Sequence, residues 1–302
     1  MKRMFTTYTP LLLSFFLFFC GNLEVKKEKI TSNTTTKHLK KHPNFNDYWY
    51  AGKAEITSYT LSQARYGDVY EGTAVTIFVT EDFLPKKQVK ADYSDKNNIP
   101  VLKLNSTKNF TTGIYPYSIM TSTFTPINNN QNALKISLSS QEWCGNTFVQ
   151  LNNRVNYQVQ FFSYFETNSD RKIALKKLPL ENDFWTKLRI NPKSIKTGRY
   201  QVIPSMEFLA LNHQKIKEYD AEVSLIQKGD FTYFSVFYPS LKRKLSIQVT
   251  SVFPYTIEGW EEITNNRGKK LTSRATKIKT IQSAYWAKNG VTDTKERKEL
   301  GL

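Results

Sequence analysis

Histidine and cysteine are nearly missing from this 302-residue chain, which carries three of the first and two of the second. Metal centres draw on His, Cys or clustered carboxylates at fixed spacing, and no such cluster occurs. His38 and His42 have helical spacing but lie in a Lys-rich segment, which leaves His213 as the one histidine of the later chain. There is no Gly-x-Ser-x-Gly elbow, phosphate-binding loop or dinucleotide fingerprint, so no cofactor is expected. Zinc knuckles, aromatic RNP-type motifs and a helix-turn-helix are absent too, which argues against nucleic acid as a partner. Glycine (12) and proline (11) are sparse beside 20 Phe, 17 Tyr and 5 Trp. That balance opposes disorder and favours a β-rich fold with large aromatic contacts. After the first twenty residues, no window is apolar enough for a transmembrane helix.

The start of the chain carries an address. Lys2 and Arg3 make a positive n-region, Leu11 to Phe19 form an apolar run broken only by Ser14, and Cys20 follows with Gly21-Asn22 behind it. The run falls short of the about 20 residues that span a bilayer. This is the layout of a bacterial secretion signal, and a cysteine directly after the apolar core predicts lipidation of Cys20. Phe19 occupies the position where a lipobox normally has a small residue; an uncleaved anchor or a signal cut further on are the alternatives. The expectation is a signal peptide over 1–19, a lipid attachment and flexible basic tether over 20–45, and one β-rich domain over 46–302. Such a protein is exported and lipid-anchored at the bacterial outer membrane or in the periplasm.

Positive charge exceeds negative, with 43 Lys and Arg against 26 Asp and Glu. Loss of Lys2 and Arg3 with the signal leaves 41 bases, a surplus of 15. A surplus of this size suits an anionic envelope surface, or simply a solvated Lys-rich exterior. From Arg267 onward ten bases face three acids, and the alternation of Lys277 and Lys279 with Ile278 suggests an exposed edge strand defended by lysines.

Period-2 alternation dominates the rest. Val75, Ile77 and Val79 share one strand face, as do Leu134, Ile136 and Leu138, then Val155, Tyr157, Val159 and Phe161, then Leu245, Ile247 and Val249. Further strands are expected at 53–61, 101–104, 117–124, 145–151, 200–210, 220–227, 231–238 and 271–283. A helix is expected at 181–190, with Asp183 as a cap and Asn191-Pro192 as its stop, and a second short one at about 212–219. Ten or more strands without βαβ rhythm imply antiparallel connections. The fold class is all-β: a large curved antiparallel sheet, an open or nearly closed barrel, with one or two short helices. The stretch 231–238 is apolar on both faces, with Phe231, Tyr233 and Phe237 opposite Phe234, Val236 and Tyr238. Such a strand needs either a second layer or a curl around an apolar cavity, and the cavity would suit a lipid-like ligand.

No residue is assigned as catalytic. The segment around Glu142 and Cys144 is the densest in functional residue types, and a thiol nucleophile there would need a base such as His213. With Cys20 lipidated, Cys144 has no disulfide partner, and its place beside Trp143 and Gly145 reads as a buried thiol. Carboxylate pairs occur at Glu81-Asp82 and Glu261-Glu262, and paired carboxylates can perform glycoside hydrolysis. Acidic pairs at strand ends are more often solvated turns. Glu81, Asp82, Glu142 and Cys144 are the speculative polar or ligand site.

Three stretches, Trp49 to Tyr66, Ala74 to Phe83, and Gly113 to Pro126 together with Glu142-Trp143-Cys144-Gly145, resemble a family of bacterial lipoproteins of unknown function. Its members sometimes carry the automatic label "septum formation inhibitor Maf". That label is misplaced, since the Ser-rich loop and α/β alternation of true Maf pyrophosphatases are absent here. At fold level, the curved all-β pattern with Phe253-Pro254-Tyr255 and Trp260-Glu261 is similar to periplasmic lipid- and lipoprotein-carrier β proteins. Both likenesses imply an exported binding module for an apolar ligand or a partner. The alternatives are a structural envelope protein without a small ligand and an exported hydrolase using carboxylates.

Overall fold

The computed structural model describes residues 40–166, 168–266 and 268–302, which belong to one compact unit. Cys20, the signal segment and the tether up to residue 39 lie outside the described residues. Among the described residues fifteen strands form a single antiparallel sheet. The first half is a meander of β1 (Ala54–Arg65), β2 (Asp68–Leu84), the two-residue β3 (Val89–Lys90), β4 (Ile99–Thr112), β5 (Tyr115–Pro126), β6 (Lys135–Glu142), β7 (Gly145–Asn153), β8 (Tyr157–Ser163) and β9 (Arg171–Leu175). The second half runs through β10 (Gly198–Val202), β11 (Tyr219–Lys228), β12 (Phe231–Tyr238), β13 (Arg243–Thr250), β14 (Ile257–Asn266) and β15 (Lys269–Ser283). β15 pairs with β1, so the last strand zips against the first and joins the two meanders, while β9 and β10 are left as the two edges. The sheet does not close into a barrel.

Its curl follows from one helix. α2 (Glu181–Ile190) is the insertion between the two edge strands. Phe184 packs on Phe234 of β12 with ring centroids 4.9 Å apart, and Asp183 accepts a hydrogen bond from Thr125 of β5 at 2.8 Å. β12 and β5 are seven steps apart in the sheet, about 34 Å if it were flat at the usual strand spacing. A helix is only about 10 Å wide. The sheet must therefore wrap α2, and nine of the helix's ten residues are buried.

That arrangement answers the two-faced strand at 231–238. Phe234, Val236 and Tyr238 point inward and are fully buried, while Tyr233 and Phe237 stay exposed on the outer face. The inside is filled by α2 and aromatic side chains. The expected room for a lipid-like ligand inside the curl is taken up by the protein's own helix.

The helix carries four charges into this interior, and each is met. Arg189 holds both oxygens of Glu55, at 2.6 Å for the Nη2 contact, and donates through Nε to the Pro254 carbonyl at 3.0 Å. Glu181 is held by both terminal nitrogens of Arg243 at 2.6 and 2.7 Å. Asp183 also accepts from the Ala133 backbone N–H, and Lys187 reaches Asn132 at 3.4 Å. Asp183 is not the cap expected from the sequence. Leu180 holds the cap position in extended conformation without a side-chain hydrogen bond, and Asn191 ends the helix as expected.

Elsewhere the structure differs from the pattern in several places. Residues 200–210 split into β10 and a short helix α3 (Met206–Leu211), because Ser205 caps the Phe208 N–H at 3.1 Å; the helix expected at 212–219 does not form. α1 (Phe45–Trp49) is already packed, with Phe45 and Trp49 buried, so the folded part begins before residue 46. His42, assigned to the tether, stacks on Phe253 with ring centroids 4.5 Å apart. β15 is central, not an edge: Arg274 and Lys277 pair with Glu261 and Glu258 of β14.

Candidate functional site

The four speculative site residues do not form one site: Glu142 and Cys144 meet at the β6–β7 turn, while Glu81 and Asp82 lie apart from them on β2. Glu81 and Asp82 are neighbours on β2, so their side chains leave opposite faces of the sheet. Glu81 is bound on the outer face by Lys103 at 2.5 Å. Glu142 sits at the end of β6, and its Oε2 accepts the Cys144 backbone N–H at 2.6 Å. Cys144 is exposed at the β6–β7 turn, not buried as expected, because the turn faces away from the curl and Trp143 is exposed with it. The Glu142 carboxylate pushes the Cys144 thiol up, which opposes thiolate formation. His213 bonds Asn168 through Nδ1 at 2.6 Å, and no hydrogen bond joins it to Cys144 among the described residues. Burial and Arg65 together hold His213 below its ordinary pKa.

The sheet alternation builds a different site. Leu104, Ser106 and Lys108 of β4, Thr121 and Thr123 of β5, Arg243 and Leu245 of β13, and Trp260 and Glu262 of β14 all share the inner face. With Glu181 of α2 and Glu207 of α3 they line a small, partly open chamber of about 50 Å³. Outside it lies a cleft of about 400 Å³, lined by residues that include Gln63, Arg65, Phe110, Leu211, His213 and Ser273. Glu207, Phe208 and Glu262 line both spaces, which therefore adjoin at these residues.

Charges in the chamber are arranged in sequence. Lys108 Nζ donates to Glu207 Oε1 at 2.6 Å, and Arg243 Nε donates to Glu262 Oε1 at 2.6 Å. Arg243 is thus fully used, and its guanidinium lies 4.2 Å from the ring centre of Phe208. Burial would push the Glu262 carboxyl up, but Arg243 and Lys108 outweigh it and hold it below the ordinary range. Burial would likewise lower Lys108, yet Glu207 and Glu262 keep its pKa raised. Glu262, Lys108 and Arg243 are ionised at neutral pH.

Two buried polar atoms face these spaces without a partner. Gln63, 8% exposed, donates through Nε2 to Ser273 Oγ at 3.1 Å, while its Oε1 has no hydrogen bond. Thr121, 6% exposed, has an unpartnered Oγ1 in the chamber wall. A buried acceptor or hydroxyl without a partner costs about 1–3 kcal/mol, so each favours occupancy by a solute or water. Among the described residues no group of three or more His, Cys, Asp or Glu is placed to hold a metal, and no helix is long and apolar enough to cross a membrane.

Comparison with protein-family models, with curated proteins and with solved structures gives no match at any of the three levels. The site's own geometry therefore carries the reading.

Glu262 was visible in the sequence as half of a carboxylate pair, but its neighbour Glu261 faces outward and pairs with Arg274. Lys108, Glu181, Glu207 and Arg243 were not singled out. They come from four separate elements. For Lys108 and Arg243 the signal in the sequence was a charge at a position where the strand alternation calls for an inward-facing residue; Glu181 and Glu207, on helices, had no such signal.

Proposed function

We propose that this chain is an exported, membrane-tethered binding module of the bacterial envelope, and that the polar cleft at one end of the curled sheet is its ligand site. The observation that carries the reading is a 400 Å³ cleft that Arg65, Glu207 and Glu262 line together with Gln63, whose buried Oε1 has no partner. Sites for small molecules are commonly concave spaces of about 300–1,000 Å³ with a few convergent polar groups. The cleft fits that description better than it fits acid–base hydrolysis. A general acid must hold its proton near neutral pH, whereas Arg243 and Lys108 keep Glu262 ionised.

The test is to purify the full chain from its host envelope and identify co-purifying solutes by mass spectrometry, in parallel with Leu211→Trp, which fills the cleft mouth. Solute released from the wild type and lost from the variant supports the reading. Equal recovery from both would refute the cleft as the site. The tether is tested separately: labelling with an alkyne fatty acid should mark the wild type and not Cys20→Ala.

An apolar ligand has one specific observation in its favour. Ile56, Val75, Ile77 and Ile281 on the outer face, with Leu300 and Leu302 of the C-terminal segment, line a hollow of about 290 Å³. Saturable binding of an environment-sensitive apolar dye, abolished by Val75→Trp, would support this second site.

A further inference from the structure

We infer that the cleft takes a solute bearing a protonated primary amine, whose ammonium group passes Glu207 and Glu262 into the inner chamber; this rests on the cleft being the ligand site. The chamber's lining holds two bases, Lys108 and Arg243, against three acids, Glu181, Glu207 and Glu262, a formal excess of one acid. Enclosed charge without compensation is unfavourable, and a neutral or anionic guest would leave the excess in place.

The acceptors still available point the same way. Both oxygens of Glu181 are taken by Arg243. Glu207 and Glu262 each have one oxygen engaged through Oε1, and no hydrogen bond among the described residues reaches Oε2 of either. Thr121 Oγ1 is the third free acceptor. An ammonium has three donors and no acceptor, which matches two carboxylate oxygens and a hydroxyl. The chamber's own two bases, by contrast, are already paired with its acids, Lys108 with Glu207 and Arg243 with Glu181 and Glu262, so an anion would compete with existing ion pairs. The chamber's 50 Å³ admits a group of about one to two water volumes, the size of an ammonium with its first methylene. The rest of the solute would lie in the outer cleft, where Gln63 Oε1 offers an acceptor and Phe110 and Phe208 offer apolar contact.

The experiment titrates the full chain in detergent with n-pentylamine, n-pentanol, pentanoate and calcium chloride. The readout is the indole N–H signals of Trp185 and Trp260, both in the chamber wall. Pentylamine should shift them saturably and the other three should not. Thr121→Val removes a hydroxyl that has no protein partner, so it should leave folding intact and weaken pentylamine binding roughly tenfold, the usual effect of losing a hydrogen bond to a charged group. Glu262→Gln should weaken it at least as much. Shifts from pentanol or pentanoate but not the amine would overturn the charge assignment while leaving the cleft a binding site. Shifts from calcium alone would overturn it in favour of a metal. Pentylamine binding unchanged in both variants would overturn the placement, and no response to any of the four would remove both this inference and the cleft reading.

Discussion

Asp183 and Arg189 show how single residues decide whether α2 can sit inside the sheet. Burial pushes the Asp183 carboxyl up, against the pull of Lys187, the Ala133 N–H and the Thr125 hydroxyl. Asp183→Ala would orphan those two donors at about 1–3 kcal/mol each. A loss of about 3 kcal/mol is therefore expected in urea unfolding, and a smaller one for Asp183→Asn, which keeps an acceptor and carries no charge to desolvate. Arg189 lies against the rings of both Trp49 and Phe78, with Glu55 held by both its terminal nitrogens. Arg189→Met should cost about 3–5 kcal/mol because it strands a buried carboxylate. Adding Glu55→Gln should recover most of that, since the stranded charge is gone. Glu262 gives the pH dependence. Its folded pKa is held below the ordinary 4.5, so its contribution is present above the unfolded value and is lost as pH falls through the folded one. Glu262→Gln should flatten the fall in unfolding free energy below about pH 4.5. An identical acid profile in the variant would show that its pairing with Arg243 adds nothing.

At the scale of elements, alternation was the readable signal. β12 was expected at 231–238 and forms there, and α2 forms over the expected 181–190, because Asn191-Pro192 stops a run with no strand alternation. β14 was not expected. Its Glu258, Glu261 and Glu262 mask the period, and Glu262 is an inward charge met by Arg243 of the adjacent β13. β9 was missed for a related reason: five residues, RKIAL, are too few to show a period. The chamber was illegible because Lys108, Glu207 and Glu262 acquire meaning only when the curl brings β4, α3 and β14 to one place. Curl also sets a steric demand. A Cβ on Gly72 of β2 would meet the Asn109 carbonyl of β4 at 2.2 Å. Gly72→Ala should therefore destabilise by about 1–3 kcal/mol, as overpacking does, measured by chemical denaturation. Unchanged stability would mean that the β2–β4 approach relaxes freely.

At the scale of the whole molecule, the sheet has two unpaired edges, and the insertion containing α2 separates them. A barrel would remove both edges by pairing them. Here the chain runs from β9 through α2 to β10, and Leu180, before α2, forms a parallel bridge with Ile203, after β10. The buried charges of α2 tie it to β1, β5 and β13, so the interior is closed by a helix instead of by strand pairing. Open edges invite pairing with another copy of the chain, and short charged strands resist it. β9 and β10 have five residues each and carry Arg171, Lys172 and Arg199. Lys172 and Arg199 are exposed, and Arg199 is only loosely tied to Glu222 at 3.4 Å. Desolvating either base against an incoming strand is unfavourable, whereas a β-branched residue would favour it. Lys172→Val with Arg199→Val should leave the fold intact, since neither side chain contributes to the interior, and should raise self-association with concentration. Light scattering on the purified chain reads the mass directly, and circular dichroism checks that the sheet persists. If the double variant matches the wild type in mass across the concentration range, the edges are protected by the geometry of the α2 insertion and not by their charge.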